Sequence, residues 1–174
     1  MNFLELDDLI DILAEENIHS FLEIGSETGI SLRRIAEALP ANTNMVCVDL
    51  PHGYDALSLL KQAIVDVEDM GHTVTHIIGD STDPEVVEKV KALGPFDACF
   101  IDANHALSYV TQDWQNYGPM CRIVAFHDIG WANLRPGKTP IEVPQLWNEI
   151  KQKYRSTEIR RYHQKYGIGV LWRE

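Results

Sequence analysis

Short apolar runs and helical patterns alternate along this chain, and that alternation limits its fold more than any other feature of the sequence. Runs dominated by Val, Ile, Phe and Cys stand at His19–Ile24, Met45–Asp49, Val74–Ile78, Phe96–Ile101 and Arg122–His127. Apolar residues at helical spacing fill the gaps, near Ser31–Leu39, Ala56–Met70, Pro84–Ala92 and Ser108–Tyr117. A strand that is apolar at nearly every residue must be covered on both faces, and a helix between two such strands is the crossover that makes them parallel. The pattern predicts an α/β fold, a doubly wound sheet with helices on both faces. Two further runs, Thr157–His163 and Ile168–Trp172, are separated only by Gln164–Gly167. The mostly parallel sheet is therefore expected to end in a C-terminal antiparallel hairpin.

Leu6, Leu9, Ile10 and Leu13 recur at helical spacing among acids, which predicts an amphipathic helix over about residues 4–16 within an N-terminal segment 1–18. A length of 174 residues suits one domain spanning 1–174. Near the C-terminus, Lys151, Lys153 and Arg155 read as a solvated basic helix. The stretch 130–144, with Gly130, Pro136, Gly137, Pro140 and Pro144, reads as a lid over a site or as a plain surface loop.

Charge narrows the classes of partner. Acids outnumber bases 26 to 15, a net charge of −11, and a field of that sign repels phosphate backbones and anionic membranes. Neither nucleic acid nor a membrane is an expected partner; homo-oligomerisation is left open. The longest stretch free of Asp, Glu, Lys and Arg, Ala38–Val48, is too short to span a bilayer. Acids rather than bases open the chain, so no secretory signal is expected. Cys47, Cys99 and Cys121 each lie in or beside an apolar run, which suits buried free thiols in a cytoplasmic protein.

In open α/β sheets ligands bind beyond the carboxyl ends of the strands. Every such end here carries an acid or a histidine: Glu23 within Glu23-Ile24-Gly25-Ser26-Glu27-Thr28-Gly29, then Asp49, Gly79-Asp80-Ser81, Asp102 with His105, and His127-Asp128. A purely structural sheet has no need of that repetition. The glycines at 25 and 29 permit a tight turn and close packing of the next helix, but they do not make G-x-G-x-x-G, because Glu27 and Ile30 stand where glycines would be required. Asp49 can accept hydrogen bonds from a ribose diol. Asp80 and Ser81 have a plainer reading as helix caps before Pro84. His19, His52, His72, His76 and His163 have no convergent partners and read as surface or hydrogen-bonded residues.

From Phe21 to Phe126 these motifs resemble the class I S-adenosylmethionine-dependent methyltransferases, whose sheet is Rossmann-like. On that resemblance Glu23, Gly25, Ser26 and Gly29 would surround the methionine end of the cofactor, Asp49 and Leu50 its ribose, and Asp80 with Ser81 its adenine, with Asp102 at the same rim. An acidic rim suits a sulfonium cation.

Phe100-Ile101-Asp102-Ala103-Asn104-His105 and Phe126-His127-Asp128-Ile129 resemble, more narrowly, the metal-dependent O-methyltransferases and cephalosporin hydroxylase-like proteins. The resemblance implies a divalent metal, magnesium or manganese, on Asp102, His127 and Asp128, with His105 as general base and a sugar or phenol hydroxyl on a small molecule as acceptor. His127 departs from that pattern, which has an oxygen ligand there; the departure leaves manganese, iron or zinc, or His127 outside the coordination shell. Two other classes stay open. Asp102, His105 and His127 make up the two-histidine, one-carboxylate set of non-heme iron oxygenases. A cofactor-binding module without catalysis is the third, since only residues 1–18 and 130–144 are left to build an acceptor pocket.

Overall fold

Period-two alternation along each buried strand sorts the apolar residues into two cores, one on either side of a single sheet. The computed structural model describes residues 3–51, 53–130, 141–161 and 166–173. In chain order its elements are α1 (Phe3–Glu15), β1 (Ser20–Ile24), α2 (Ile30–Ala36), β2 (Asn44–Asp49), α3 (Tyr54–Asp69), β3 (Thr73–Ile78), α4 (Pro84–Lys91), β4 (Phe96–Ile101), α5 (Leu107–Tyr117), β5 (Cys121–His127), α6 (Val143–Ile150), β6 (Arg155–Ile159) and β7 (Ile168–Trp172). Phe21, Met45, Cys47, Ala98, Phe100, Ile123 and Ala125 face α1, α2 and α3, where Leu9, Leu32, Ile35, Leu60 and Val67 meet them. Their neighbours Leu22, Ile24, Val46, Cys99, Ile101, Val124 and Phe126 face α4, α5 and α6, against Val86, Val90, Val110, Leu146 and Trp147. The expected doubly wound architecture is what forms.

The sheet order is β3-β2-β1-β4-β5-β7-β6. Strands β1 to β5 pair in parallel, and β7 runs antiparallel to both β5 and β6. Winding reverses between β1 and β4, so the crevice of a doubly wound sheet opens at their carboxyl ends. The three cysteines are buried and free. Among the described residues no helix is long and apolar enough to cross a membrane.

The C-terminal region departs from expectation. The basic helix does not form: α6 ends at Ile150, Lys151 caps it, and Arg155 opens β6. The cause is Glu158, whose carboxylate accepts from Trp147 Nε1 at 2.7 Å, Lys151 Nζ at 2.8 Å and Arg160 Nε at 2.8 Å. Partial burial would raise the Glu158 carboxyl, but these donors hold it down at about 2. Strand β6 accordingly begins two residues before the expected Thr157 and ends at Ile159, and β7 is inserted between it and β5. Of the expected loop 130–144, residues 131–140 lie outside the described residues, as do His52 and His163; Val143 and Pro144 already belong to α6.

Helix α1 is bound to the far end of the chain. The buried Glu5 carboxylate accepts from the N–H groups of Arg161 at 3.0 Å and Gly167 at 3.2 Å, and Asp8 pairs with the Arg161 guanidinium. Glu16, just beyond α1, accepts from Trp172 Nε1 at 2.6 Å and Arg122 Nη1 at 2.7 Å.

Candidate active site

Hydrogen bonding continues one residue past the parallel strands and lines up their tips. Gly25 N–H donates to Val48 O at 2.8 Å, Asp102 N–H to Ile24 O at 2.8 Å, and Gly79 N–H to Asp49 O at 3.0 Å. Gly25 has φ +90°, and a Cβ there would lie 2.5 Å from Asp102 O and 2.6 Å from Ala103 Cα. Only glycine lets the turn after β1 pass this close to the turn after β4.

A cleft of about 780 Å³ opens over these tips. Gly25 and Ser26 line it from β1, Asp49 and Leu50 from β2, and Asp80 and Ser81 from the turn after β3. Asp102 and His105 line it from the β4 side, His127 and Asp128 from β5. Two expected cofactor residues do not reach it. Glu23 lies fully buried below, because alternation along β1 turns it toward the α1–α3 side with Phe21. Gly29 packs on α3 rather than on a strand; a Cβ there would stand 2.5 Å from Ala63 Cβ.

Among the described residues neither Glu23 carboxylate oxygen has an aligned hydrogen-bond partner. Burial pushes its carboxyl up to about 7, with the nearby Ser26 and Ser31 hydroxyls opposing the shift and the charges of Asp102 and Asp49 adding to it. Asp49 divides its oxygens: Oδ1 accepts from Glu27 N–H at 3.0 Å, while Oδ2 is buried without a partner among the described residues. Asp80 does not cap α4. Its Oδ1 accepts from Thr82 N–H at 2.8 Å and from Thr82 Oγ1 at 2.7 Å, and Asp83 caps the helix. Ser81 is fixed through its carbonyl, which accepts from Tyr117 Oη at 2.6 Å.

At the other end of the cleft four titratable side chains meet. His105 Nε2 lies 3.3 Å from Asp102 Oδ1 and 3.1 Å from Asp128 Oδ2. His127 Nδ1 lies 3.0 Å from Asp102 Oδ1 and 3.4 Å from Asp128 Oδ1. Consecutive strand residues point to opposite faces, so His127 and Asp128 converge only because Asp128 leaves β5 at φ +59°, a left-handed conformation that Asp tolerates better than most residues. The His105 loop is clamped from outside. Glu142 N–H donates to His105 O at 2.8 Å, and the Glu142 carboxylate accepts from Leu107 N–H at 2.8 Å, satisfying a first-turn donor of α5 that Ala106 cannot cap.

Burial opposes the charge on Asp102, His105 and His127, and the pairing outweighs it. Asp102 is held below the usual carboxylate range by His127 and His105. His105 is pushed up to about 10 by Asp102 and Asp128, and His127 is raised chiefly by Asp102. Unless its proton is displaced, His105 is an imidazolium at neutral pH. Such a cluster can hold a cation between its carboxylates or take a proton from an acidic hydroxyl.

The profile of a methyltransferase-domain family matches residues 22–129. The chain belongs to that methyltransferase family. The matched segment runs from β1 to just past β5 and so contains every strand tip that lines the cleft. No curated protein matches the sequence significantly. Among solved structures, the O-methyltransferase TomG from Streptomyces achromogenes, in complex with SAM, has TM-score 0.77 at 17% identity, over 100% of this chain and 82% of that one. The O-methyltransferase from Bacillus cereus, in complex with SAH, has TM-score 0.73 at 13% identity, over 99% of this chain and 82% of that one. The methyltransferase domain of bacterial CtHen1-C has TM-score 0.63 at 14% identity, over 98% of both chains. At these identities the likeness establishes that the methyltransferase domain shares their fold.

Phe3, Tyr109 and Tyr166 also line the cleft and are absent from the sequence-based expectations. Tyr109 stands in the first turn of α5, just after the His105 loop, a place that could have signalled it. Phe3 and Tyr166 come from opposite ends of the chain, and no local pattern links them.

Proposed function

We propose that the chain, acting as one domain, transfers a methyl group from S-adenosylmethionine to a hydroxyl oxygen of a small acceptor. The observation that carries this reading is one cleft that joins a buried, unpartnered carboxylate oxygen on Asp49 to the His105–Asp102–Asp128 cluster. Family membership supplies the reaction class, and the solved O-methyltransferases with SAM or SAH bound support the cofactor. Asp49 Oδ2 would accept from the ribose hydroxyls, Asp80 and Ser81 would face the adenine, and Gly25 and Ser26 would border the methionine end. Glu23, from below, would act on the sulfonium through space. Three buried free thiols support a cytoplasmic setting.

The magnesium implied by the resemblance does not fit the donors present, because two of the four convergent groups are imidazoles and magnesium takes oxygen. The chemistry is therefore assigned to the chain's own groups. The cleft would align acceptor and methyl donor, His105 would take the hydroxyl proton once its own is lost, and the oxygen would attack the methyl carbon in line with sulfur, the carbon–oxygen bond forming as the carbon–sulfur bond breaks and S-adenosylhomocysteine leaves. Asp128, 3.1 Å from His105 and 3.4 Å from His127, adds a second carboxylate that the two-histidine, one-carboxylate set of an iron oxygenase does not have.

Calorimetric titration with S-adenosylhomocysteine, followed by turnover with a panel of sugar and phenol hydroxyls, tests the proposal. Binding and methylation of at least one hydroxyl class are expected. Absence of cofactor binding by the folded protein would overturn the reading, and binding with no turnover on any acceptor would reduce it to a cofactor-binding module.

A further inference from the structure

Hydrogen-bonded side chains aim hydrogens at lone pairs, whereas metal ligands aim lone pairs at a common point. The cluster at the β4 and β5 tips is mixed: His105 Nε2 hydrogen-bonds Asp102 Oδ1 at 3.3 Å, while the atoms that His127 and Asp128 turn toward each other are not hydrogen-bonded among the described residues. His127 Nδ1 lies 3.0 Å from Asp102 Oδ1 and 3.4 Å from Asp128 Oδ1, yet among the described residues neither His127 nitrogen nor Asp128 Oδ1 has an aligned hydrogen-bond partner. These are buried groups, with His127 4% and Asp128 5% exposed. A buried polar atom without a partner is destabilising, so two on consecutive residues that face each other call for a shared ligand. One ligating atom from each of Asp102, His105 and His127 falls within 4.8 Å of the others.

The spacing admits a small divalent ion. Ligands about 2.0–2.1 Å from an ion stand roughly 3.3 Å apart around a tetrahedral centre and roughly 3.0 Å apart around an octahedral one. Asp102 Oδ1 stands 3.3 Å from His105 Nε2 and 3.0 Å from His127 Nδ1, matching both values, so donor chemistry decides; Asp128 meets the two histidines through different oxygens, at 3.1 and 3.4 Å. Magnesium dehydrates reluctantly and gains little from imidazole; zinc and its transition-metal neighbours bind neutral imidazole with carboxylate readily. Tyr166 lies nearly parallel to the His127 ring, with centroids 6.5 Å apart and planes at 17°.

We propose that Asp102, His105 and His127, with the Asp128 carboxylate beside them, form a nitrogen-rich site for a borderline divalent transition ion, zinc above all, and not for magnesium. His105 is then a ligand in the acceptor-free protein, and its imidazole can take a proton only when Nε2 is released from the ion. The inference concerns the same cleft and rests on reading it as a reaction centre, but its test reads metal binding alone. Its failure would leave cofactor binding at Asp49 untouched, and failure of the methyl-transfer reading would leave the metal result standing.

The test is calorimetric titration of chelator-stripped protein with zinc and with magnesium, together with the visible spectrum of the cobalt(II) form. One zinc should bind, at least roughly a hundredfold more tightly than magnesium, and cobalt should show the intense bands of a four-coordinate site. His127→Gln should abolish zinc binding with an unchanged circular dichroism spectrum. His127→Asp, an oxygen-richer set, should narrow the zinc-to-magnesium ratio. If His127→Gln fails to fold, His105→Gln, at the more open edge of the cluster, serves in its place. Magnesium binding as tight as zinc, no binding of either ion by the folded protein, or undiminished zinc binding in Asp102→Asn together with the histidine variant would each overturn the proposal.

Discussion

Asp49 shows how one side chain can serve fold and ligand together. Its Oδ1 is spent on Glu27 N–H, which holds the left-handed turn after β1, and its Oδ2 is buried without a partner among the described residues, on a side chain that lines the cleft. Asp49→Ala should lower affinity for S-adenosylhomocysteine at least roughly tenfold, since each charge-assisted bond to a ribose hydroxyl contributes about 1.5–3 kcal/mol. Unchanged calorimetric affinity would remove Asp49 from the cofactor site. His105 carries a pH signature. Its folded pKa of about 10 lies above the ordinary 6.5, so in metal-free protein the imidazole stays charged through neutrality and loses its proton only in alkaline solution. Asp128→Asn removes one of the two carboxylates responsible, and an imidazole NMR titration should show the His105 midpoint moving toward neutral pH. A midpoint that stays put would mean that the cluster is not coupled as the distances indicate. The acids at the strand ends were legible in the sequence because an unpaired charge closing an apolar run stands out. That Glu23 would sink below the cleft while Asp49 lined it was not, since parity along β1 becomes visible only once the neighbouring strands fix which face is which.

At the scale of elements, the five parallel strands were legible because burial on both faces leaves an unbroken apolar run. The C-terminal boundary was not. Lys151 and Arg155 look like one solvated helix face until Glu158, on the next strand, draws Lys151 and Trp147 to itself. Two elements yield predictions of opposite sign. Gly25→Ala drives a Cβ into the backbone of Asp102 and Ala103, where nothing flexible can yield, and it does so at φ +90°. Strain of about 1–3 kcal/mol should lower Tm by roughly 2–12 °C in a chain of this length, and an unchanged melting curve would show that the β1 and β4 tips are not held in contact. Asp113, on α5, is fully buried, and neither carboxylate oxygen has an aligned partner among the described residues. Burial raises its carboxyl from 3.8 to about 7, with Ser81 opposing the shift and Asp80 adding to it. The folded state therefore keeps a proton that the unfolded state has lost, and stability falls as pH rises from about 4 to about 7. Asp113→Asn should melt higher than the parent at pH 8, with the gain shrinking as pH approaches 4. A gain independent of pH would point to packing instead of charge.

At the scale of the whole molecule, charge and topology act on the same place. A chain with net charge −11 turns Asp49, Asp80, Asp102 and Asp128 toward one crevice, where the reversal of winding between β1 and β4 leaves the strand ends uncovered. Low-dielectric walls focus such a field, so the cleft should favour a cationic ligand over a neutral one of the same shape. S-adenosylmethionine and S-adenosylhomocysteine form that pair, differing by one methyl group and the positive charge on sulfur. The four acids are spread along the cleft, from the tip of β2 to the tip of β5. Their combined effect should therefore depend on salt, because the screening length contracts from about 10 Å at 0.1 M to about 3 Å at 1 M. The affinity ratio of the sulfonium to the thioether should fall severalfold between those ionic strengths, mostly through weaker binding of the sulfonium. Calorimetric titration of both ligands into metal-free protein at the two salt concentrations measures it. A ratio indifferent to salt would mean that discrimination rests on contact with the methyl group alone, and the accumulation of acids at the strand ends would then need another explanation.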